Sequence, residues 1–526
     1  MLNNPIARRP VLALLGASLM VAASCSRGAK TPSSSRKTLV IGRALDDRNL
    51  DPAFEASLTD GSVMELAYER LLREVIRDGV PSGEFEGVLA ERWEADPSGL
   101  IWTFRLKTDR RFSDGTPVTA HAFAFSLKRA LSLQPALAAN FFWLKRYDVV
   151  DDHTLRFELH QRFAIFLNFL AITVEFVNPK VLAHEKNGDQ GAAWLSENSA
   201  GSGPYQVERW ERGQQLVMSS NPHYPTPPRY FDRVVFRFVK EPNARRLELG
   251  RGEIDICEGI SIDDSERFRA TPGAALFDKV SPQIVFIDIN NRHPILSDVR
   301  VRRALALAVD YEQIIKSVLL GRATPCSGPI PQGMPGYDAA LPVMKRDVAA
   351  AKALMAQAGH PTLGLTLSYV QGGSTVDSTV LMIQSNFADI GVKLTLEPVA
   401  PSAFVSKSLG GEYELAINNF VPAFADPWLV LFPLYFSKNS GAGGNTAFYG
   451  NDAVDRLLLQ AQAELDANAR LSLYRAAEKL ILADMPRIFL FSPHALLGYR
   501  DEIAGMEYSA WRPLVYNADA MLRRSA

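Results

Sequence analysis

The chain has 526 residues, a length beyond which a single hydrophobic core stops growing, so two or three domains are expected. Its 47% hydrophobic and 22% charged residues are the proportions of a globular protein and exclude a disordered one. The formal net charge of −1 lacks the basic excess of a nucleic-acid binder, and no nucleic-acid partner is expected.

In chain order, residues 1–24 carry Arg8-Arg9 and then an apolar run from Val11 to Ala23, too short to span a bilayer and ending in small residues. That order is the order of a signal peptide, and it predicts export. The polar, Ser-rich stretch from Gly28 to Lys37 suits a flexible tether, and a strand is predicted to open at Thr38. Val63 to Arg73 has a helix-like pattern. Three signals then follow one another within residues 88–131. Trp102, Phe104 and Leu106 alternate with Thr103 and Arg105 as on a half-buried strand. Ser113-Asp114-Gly115-Thr116-Pro117 is turn chemistry, and Thr119 stands where it can cap a helix carrying Phe123, Leu127 and Leu131 on one face.

Further on, Thr154 to Leu159, Gln215 to Ser219 and Arg233 to Val239 alternate as strands, and Gly201-Ser202-Gly203-Pro204 is a tight break. Asp298 is placed to cap a helix from Val299 to Leu320 that Gly321 stops; Arg302 and Arg303 are expected on its solvated face. Strands at Leu365 to Val370 and Lys393 to Val399 flank a helix, so the second half has an α/β pattern. Helices are predicted over Asn451 to Leu465 and Arg470 to Ala483, followed by a buried strand from Pro486 to Phe491. Enzyme signatures are missing: there is neither GxSxG nor HExxH, and the eight histidines lack the spacing of a metal set. No catalytic residue, metal or cofactor is expected. Cys257 and Cys326 belong to no CxxC pair and are expected as buried small side chains, although an exported location would permit a bridge.

The run Leu89-Ala90-Glu91-Arg92-Trp93, Trp102 to Leu106 and Phe112 to Ala120 closely resembles the oligopeptide- and dipeptide-binding proteins of ABC importers, the extracellular solute-binding protein family 5. Gly201 to Tyr205, Gly252-Glu253-Ile254-Asp255 and Asn290-Asn291 with Asp298 to Asp310 repeat the resemblance, and Arg70 stands where these proteins usually carry Gly. The resemblance implies two α/β lobes joined by a hinge, as in the periplasmic binding proteins, with an extra inserted domain near the N-terminus. The expected divisions are 38–69, 200–282 and 492–526 for lobe I, 70–199 for the inserted domain and 283–491 for lobe II. Ala22-Ala23-Ser24-Cys25 resembles a lipobox, which implies a lipid anchor on Cys25 that holds the protein at the outer face of a membrane; the alternative is ordinary signal cleavage.

The implied role is to capture peptides, oligopeptides foremost, between the lobes and deliver them, as a monomer, to a membrane permease. A non-peptide solute such as an opine, a nickel complex or a sugar is the alternative, and a lipid-anchored hydrolase is a more distant one. By the same resemblance the ligand is expected to meet Asn419, Phe420, Val421, Pro422, Ala423, Phe424 and Asp426 on one wall, and Ser57 and Leu58 on the other. Peptide-binding relatives carry at the position of Ala423 an Asp that holds the ligand's amino group, so here another carboxylate, Asp426 or a different one, would have to replace it. Phe141, Phe142 and Trp143 are open to two readings, cleft wall or packed core.

Overall fold

A computed structural model describes residues 37–54, 58–225, 229–512 and 515–524. The expected signal peptide, the tether, Cys25 and Ser57 lie outside the described residues, as does the side chain of Leu58. Residues 37–526 form one compact unit. β1 (Thr38–Arg43) is followed by the helix Leu58–Ala67, which stops short of the Arg73 end expected from its pattern. Leu72 instead opens a hairpin, β2 (Leu72–Arg77) and β3 (Val80–Gly87), turned by Asp78 and Gly79, both at positive φ. A separate antiparallel sheet follows, β4 (Ala90–Ala95), β5 (Ile101–Leu106), β6 (Leu144–Asp151) and β7 (Thr154–Leu159), in the order β4-β5-β7-β6. The helices Ala120–Leu133 and Phe166–Ile172 bury Phe123, Leu127, Phe166 and Leu170 in the core that covers it. Thr119 adopts the extended backbone of a cap, but its side chain makes no capping bond.

The chain returns through Gly201 and Gly203, which pass against the end of the helix Leu58–Ala67. A Cβ on Gly203 would stand 2.5 Å from the Leu66 carbonyl oxygen, and the Gly203 amide donates to the Ala67 carbonyl at 3.0 Å. The Ser113 amide donates to the Gly201 carbonyl at 3.0 Å, so the two Gly-containing motifs of the sequence meet at one crossing. Asp51 of the Leu-Asp-Pro motif is buried and takes two bonds from Arg129, at 2.7 and 2.6 Å, tying the segment after β1 to the helix Ala120–Leu133.

β8 (Tyr205–Glu211), β9 (Gln215–Ser220), β10 (Arg233–Phe238), β11 (Ile256–Cys257) and β12 (Ala274–Val280) complete lobe I around β1. The chain then crosses at 281–283 into lobe II, made of β13 (Ile284–Ile289), β14 (Ala323–Pro325), β15 (Leu363–Val370), β16 (Val392–Val399) and β17 (Leu415–Phe420). The last long strand, β18 (Arg487–Arg500), continues well past the Phe491 end expected from its apolar run. It pairs with β13 and β14 at its start, and with β12 and β11 at its end. Ser281 donates to the Pro493 carbonyl from its amide at 3.0 Å and from its hydroxyl at 2.7 Å, so the two lobe crossings run side by side. The result is one sheet in the order β16-β15-β17-β13-β18-β11-β1-β10-β9-β8, with two lobes hung on either side of the crossing.

The expected helix from Val299 to Leu320 is two pieces. Asp298 caps Val299–Ala308 through the Arg300 amide, Val309 is extended, and Asp310 caps a second helical turn through Gln313. Arg302 is not solvated as expected. It is 6% exposed and donates to the carbonyls of Asp484, Met485, Leu296 and Ser297, where it caps the end of the neighbouring helix Ala467–Asp484; Arg303 donates to Ala483 from an exposed position. Arginine's planar fork makes such multiple carbonyl contacts possible. Cys257 and Cys326 are both free and buried, and burial pushes their thiols up, to about 11 and about 12.

Two buried charges set testable stabilities. Asp288 and Arg487, neither exposed, form an ion pair at 2.5 Å in lobe II. Asp288→Ala leaves the guanidinium uncompensated and is expected to lower the unfolding free energy by about 3–5 kcal/mol, measured by urea denaturation. In the helix Ala467–Asp484, burial pushes the Glu478 carboxyl up to about 7, above its ordinary 4.5. The folded state then binds the proton more tightly than the unfolded chain. Stability from this group is complete below about pH 4.5 and is lost as pH rises through about 7, on the order of 3 kcal/mol in all. Glu478→Gln is expected to flatten the melting temperature between pH 5 and pH 8, and an unchanged slope would show that other groups govern it.

Candidate functional site

β17 lies between β15 and β13, yet β15 pairs with it only at Leu415 and Ala416, while β13 pairs along its whole length to Phe420. From Ile417 onward the β15-facing edge of β17 therefore carries no strand among the described residues. Past Phe420 the alternation persists: Asn419, Val421 and Ala423 are exposed, whereas Pro422 and Phe424 turn inward. Val421 shows 38% of its surface. The segment is held at both ends from beneath. Asn418 donates to Asp288 at 3.2 Å, and Arg487 donates to the Leu434 carbonyl at 2.8 Å, near the end of the helix Trp428–Tyr435 that follows the loop.

The inner side of this loop meets the inserted domain. Phe424 packs on Phe169 with ring centroids 5.7 Å apart, and Trp428 packs on Phe163 and Phe169 at 5.8 and 5.5 Å. Phe142, 43% exposed, stacks on Trp428 at 6.2 Å with 13° between planes. The aromatic triplet divides its roles accordingly: Trp143 is core, and Phe142 stands at the seam between the inserted domain and lobe II. Each large ring buried here contributes about 2 kcal/mol to holding the seam together.

Asp426 is 7% exposed, accepts the Trp428 amide at 2.9 Å and lies 3.6 Å from the Arg470 Nε. Burial pushes its carboxyl up against the opposing pull of Arg470. The structure thus brings together Asn419, Phe420, Val421 and Ala423 along one edge, with Phe424 and Asp426 set under it.

A different carboxylate reaches the loop from the other side. Glu74 follows Leu72 on the inward face of β2, is 9% exposed, and is pushed up to about 7 by burial; the backbone amides of Gly83 and Ala425 and the charge of Arg512 oppose the shift. Glu74 lines a pocket of about 470 Å³ together with Glu65, Arg70, Tyr224 and Arg512. Arg512 pairs with Glu65 at 2.9 Å, and Arg70 with Glu65 and Glu175. Ser509 donates to the Gly79 carbonyl at 2.6 Å, which fastens the C-terminal segment under the β2–β3 hairpin. Glu74 and Arg512 escaped the sequence reasoning. The signal for Glu74 was present, a carboxylate in step with Leu72 and Ile76 on one strand face; nothing local marks Arg512.

Comparison with known proteins agrees with this architecture. Residues 84–442 match the family described as bacterial extracellular solute-binding proteins, family 5 Middle. The chain is 34% identical over 484 residues to the probable D,D-dipeptide-binding periplasmic protein DdpA of Escherichia coli (strain K12), covering 92% of this chain and 94% of that protein. It is 26% identical to di/tripeptide-binding protein 2 of Pseudomonas aeruginosa (strain UCBPP-PA14), over 90% of this chain and 93% of that one. Among solved structures, the periplasmic binding protein DppA from Helicobacter pylori in complex with peptide STSA has the same fold, with a TM-score of 0.79 at 22% identity over 93% of this chain and 98% of that one. The chain belongs to family 5 of the bacterial extracellular solute-binding proteins, and it is an exported binding protein with the two-lobed fold of periplasmic binding proteins, not an enzyme.

Proposed function

We propose that this protein captures short peptides between its lobes, with dipeptides favoured over longer oligopeptides, and hands them to an ABC permease. The observation that carries the reading is the open edge of β17, where the β15 pairing ends at Ala416 and Asn419, Val421 and Ala423 stand exposed in alternation. An extended peptide can add to such an edge as a strand, its main chain bonding to protein backbone and its side chains entering pockets. Preference for a dipeptide draws support from the E. coli relative, whose name specifies a D,D-dipeptide. Ala423, with Asn419, Phe420, Val421 and Pro422, forms the lobe II wall in this reading, Phe424 and Asp426 support it from beneath, and Ser57 and Leu58 belong to the opposite wall.

The proposal extends to the surroundings of the site. Lobe I comprises 38–69, 200–282 and 492–526, the inserted domain 70–199 and lobe II 283–491, and closure of the lobes around the ligand is a hinge motion at the paired crossings. Cys25 carries the lipid anchor that keeps the monomeric protein close to its permease.

Isothermal calorimetry with D-alanyl-D-alanine, L-alanyl-L-alanine and tetra-L-alanine tests the reading. Binding of at least one dipeptide is expected, and an indole at position 423 should block the edge: Ala423→Trp is expected to weaken it at least about ten-fold, with the melting temperature held, because residue 423 is exposed. Absence of heat with every peptide, together with no peptide released on denaturing protein purified from cells, would refute it.

A further inference from the structure

Glu74 is a buried carboxylate whose needs the protein leaves partly unmet. Its Oε1 has no hydrogen-bond partner among the described residues, although the residue is nine-tenths buried. A charge taken from water without a partner is costly, which is why burial holds this carboxyl up at about 7, and a cation placed beside it would restore the ionised form. The nearby guanidinium groups are already engaged. Arg512 is held by Glu65, Arg70 by Glu65 and Glu175, and Arg73, the next residue along β2 and on its opposite face, by Glu86. Glu74 also lines the 470 Å³ pocket, which places the residue beside a space that a small molecule can enter.

Its position links that pocket to the peptide edge. The Ala425 amide faces the Glu74 carboxylate, and Ala425 lies two residues beyond Ala423 on the loop that continues β17. A ligand lying along the β17 edge therefore presents one end toward β2. Of the ends of a peptide, only the ammonium is matched to a carboxylate with an unused oxygen. We propose that Glu74 is the residue that receives the ligand's α-ammonium group, supplied from β2 across the cleft rather than from the 419–427 loop. The assignment rests on the peptide reading above. It makes the amine site a two-sided one: the peptide's main chain lies on lobe II, and its charge is held from the other side. A ligand with a free amine thereby bridges the two sides of the cleft, and an N-blocked ligand does not.

The experiment is calorimetry on the full-length protein with D-alanyl-D-alanine and L-alanyl-L-alanine, each free and N-acetylated, against wild type, Glu74→Gln and Asp426→Asn. Wild type is expected to prefer the free amine by about ten- to hundred-fold, the worth of a hydrogen bond to a charged group. Glu74→Gln is expected to erase that preference by weakening only the free dipeptides, while Asp426→Asn retains it. Thermal melting shows whether each variant is folded. If Glu74→Gln does not fold, the wild-type comparison decides alone: equal affinity for free and acetylated dipeptides overturns the assignment. A preference that survives in Glu74→Gln, or vanishes in Asp426→Asn, overturns it and leaves peptide capture standing. Failure of every peptide to bind overturns both.

Discussion

The ion pair between Asp288 and Arg487 is the point on which the β17 side of lobe II converges. Asp288 lies on β13 and Arg487 opens β18. Thr446 donates to Asp288 at 2.8 Å and Asn418 reaches it from β17, while the Arg487 guanidinium sits over the rings of Tyr435 and Phe286 at 4.8 and 5.0 Å. These contacts satisfy most of what a buried pair requires, and a pair so furnished gains specificity of arrangement more than net stability. Asn418 is the residue before the exposed run, and Leu434 lies near the end of the helix after it, so a single charge pair fixes both ends of the loop between them. A loop held in this way has little freedom left to lose in any contact that it makes.

The seam between lobe II and the inserted domain poses a second constraint. Phe142, Phe163 and Phe169 meet Phe424 and Trp428 directly, and Ala164 donates from its amide to the Gln462 carbonyl at 3.0 Å. The arrangement of the lobes is therefore stabilised in part by apolar contacts that need no ligand. A solute can shift such an equilibrium only by as much as it binds one arrangement better than the other. Contacts reaching a ligand from both sides of the cleft supply that difference; contacts from one side alone do not.

Much of this fold was legible in the chain because its elements carry local signals. The alternation of Trp102, Phe104 and Leu106, the Asp114-Gly115 turn, and the Asp298 cap all appear where the pattern placed them, since each depends on a few adjacent residues. What failed was what depends on distant partners. Arg302 looked like surface because nothing beside it in sequence reveals the carbonyls of Asp484 and Met485, some 180 residues on. The break at Val309 lies inside an unbroken apolar pattern, and is decided by how Asp310 caps the turn after it. The segment from Asn419 to Asp426 was singled out by resemblance, but the open edge it adjoins follows from where β15 stops pairing. Glu74 and Arg512 are 438 positions apart, and only folding places them in one pocket.

The continuity of β18 has a consequence for how the chain acquires its structure. Lobe I begins with β1 and lobe II with β13, but each waits for β18 to supply a central neighbour, and β18 spans residues 487–500. As the chain is synthesised from its N-terminus, neither half of the sheet can be finished until nearly all of it exists. Contacts of such long sequence separation form slowly. The strand that joins the two halves of the large sheet thus arrives late, whereas the separate sheet β4-β5-β7-β6 needs no part of it.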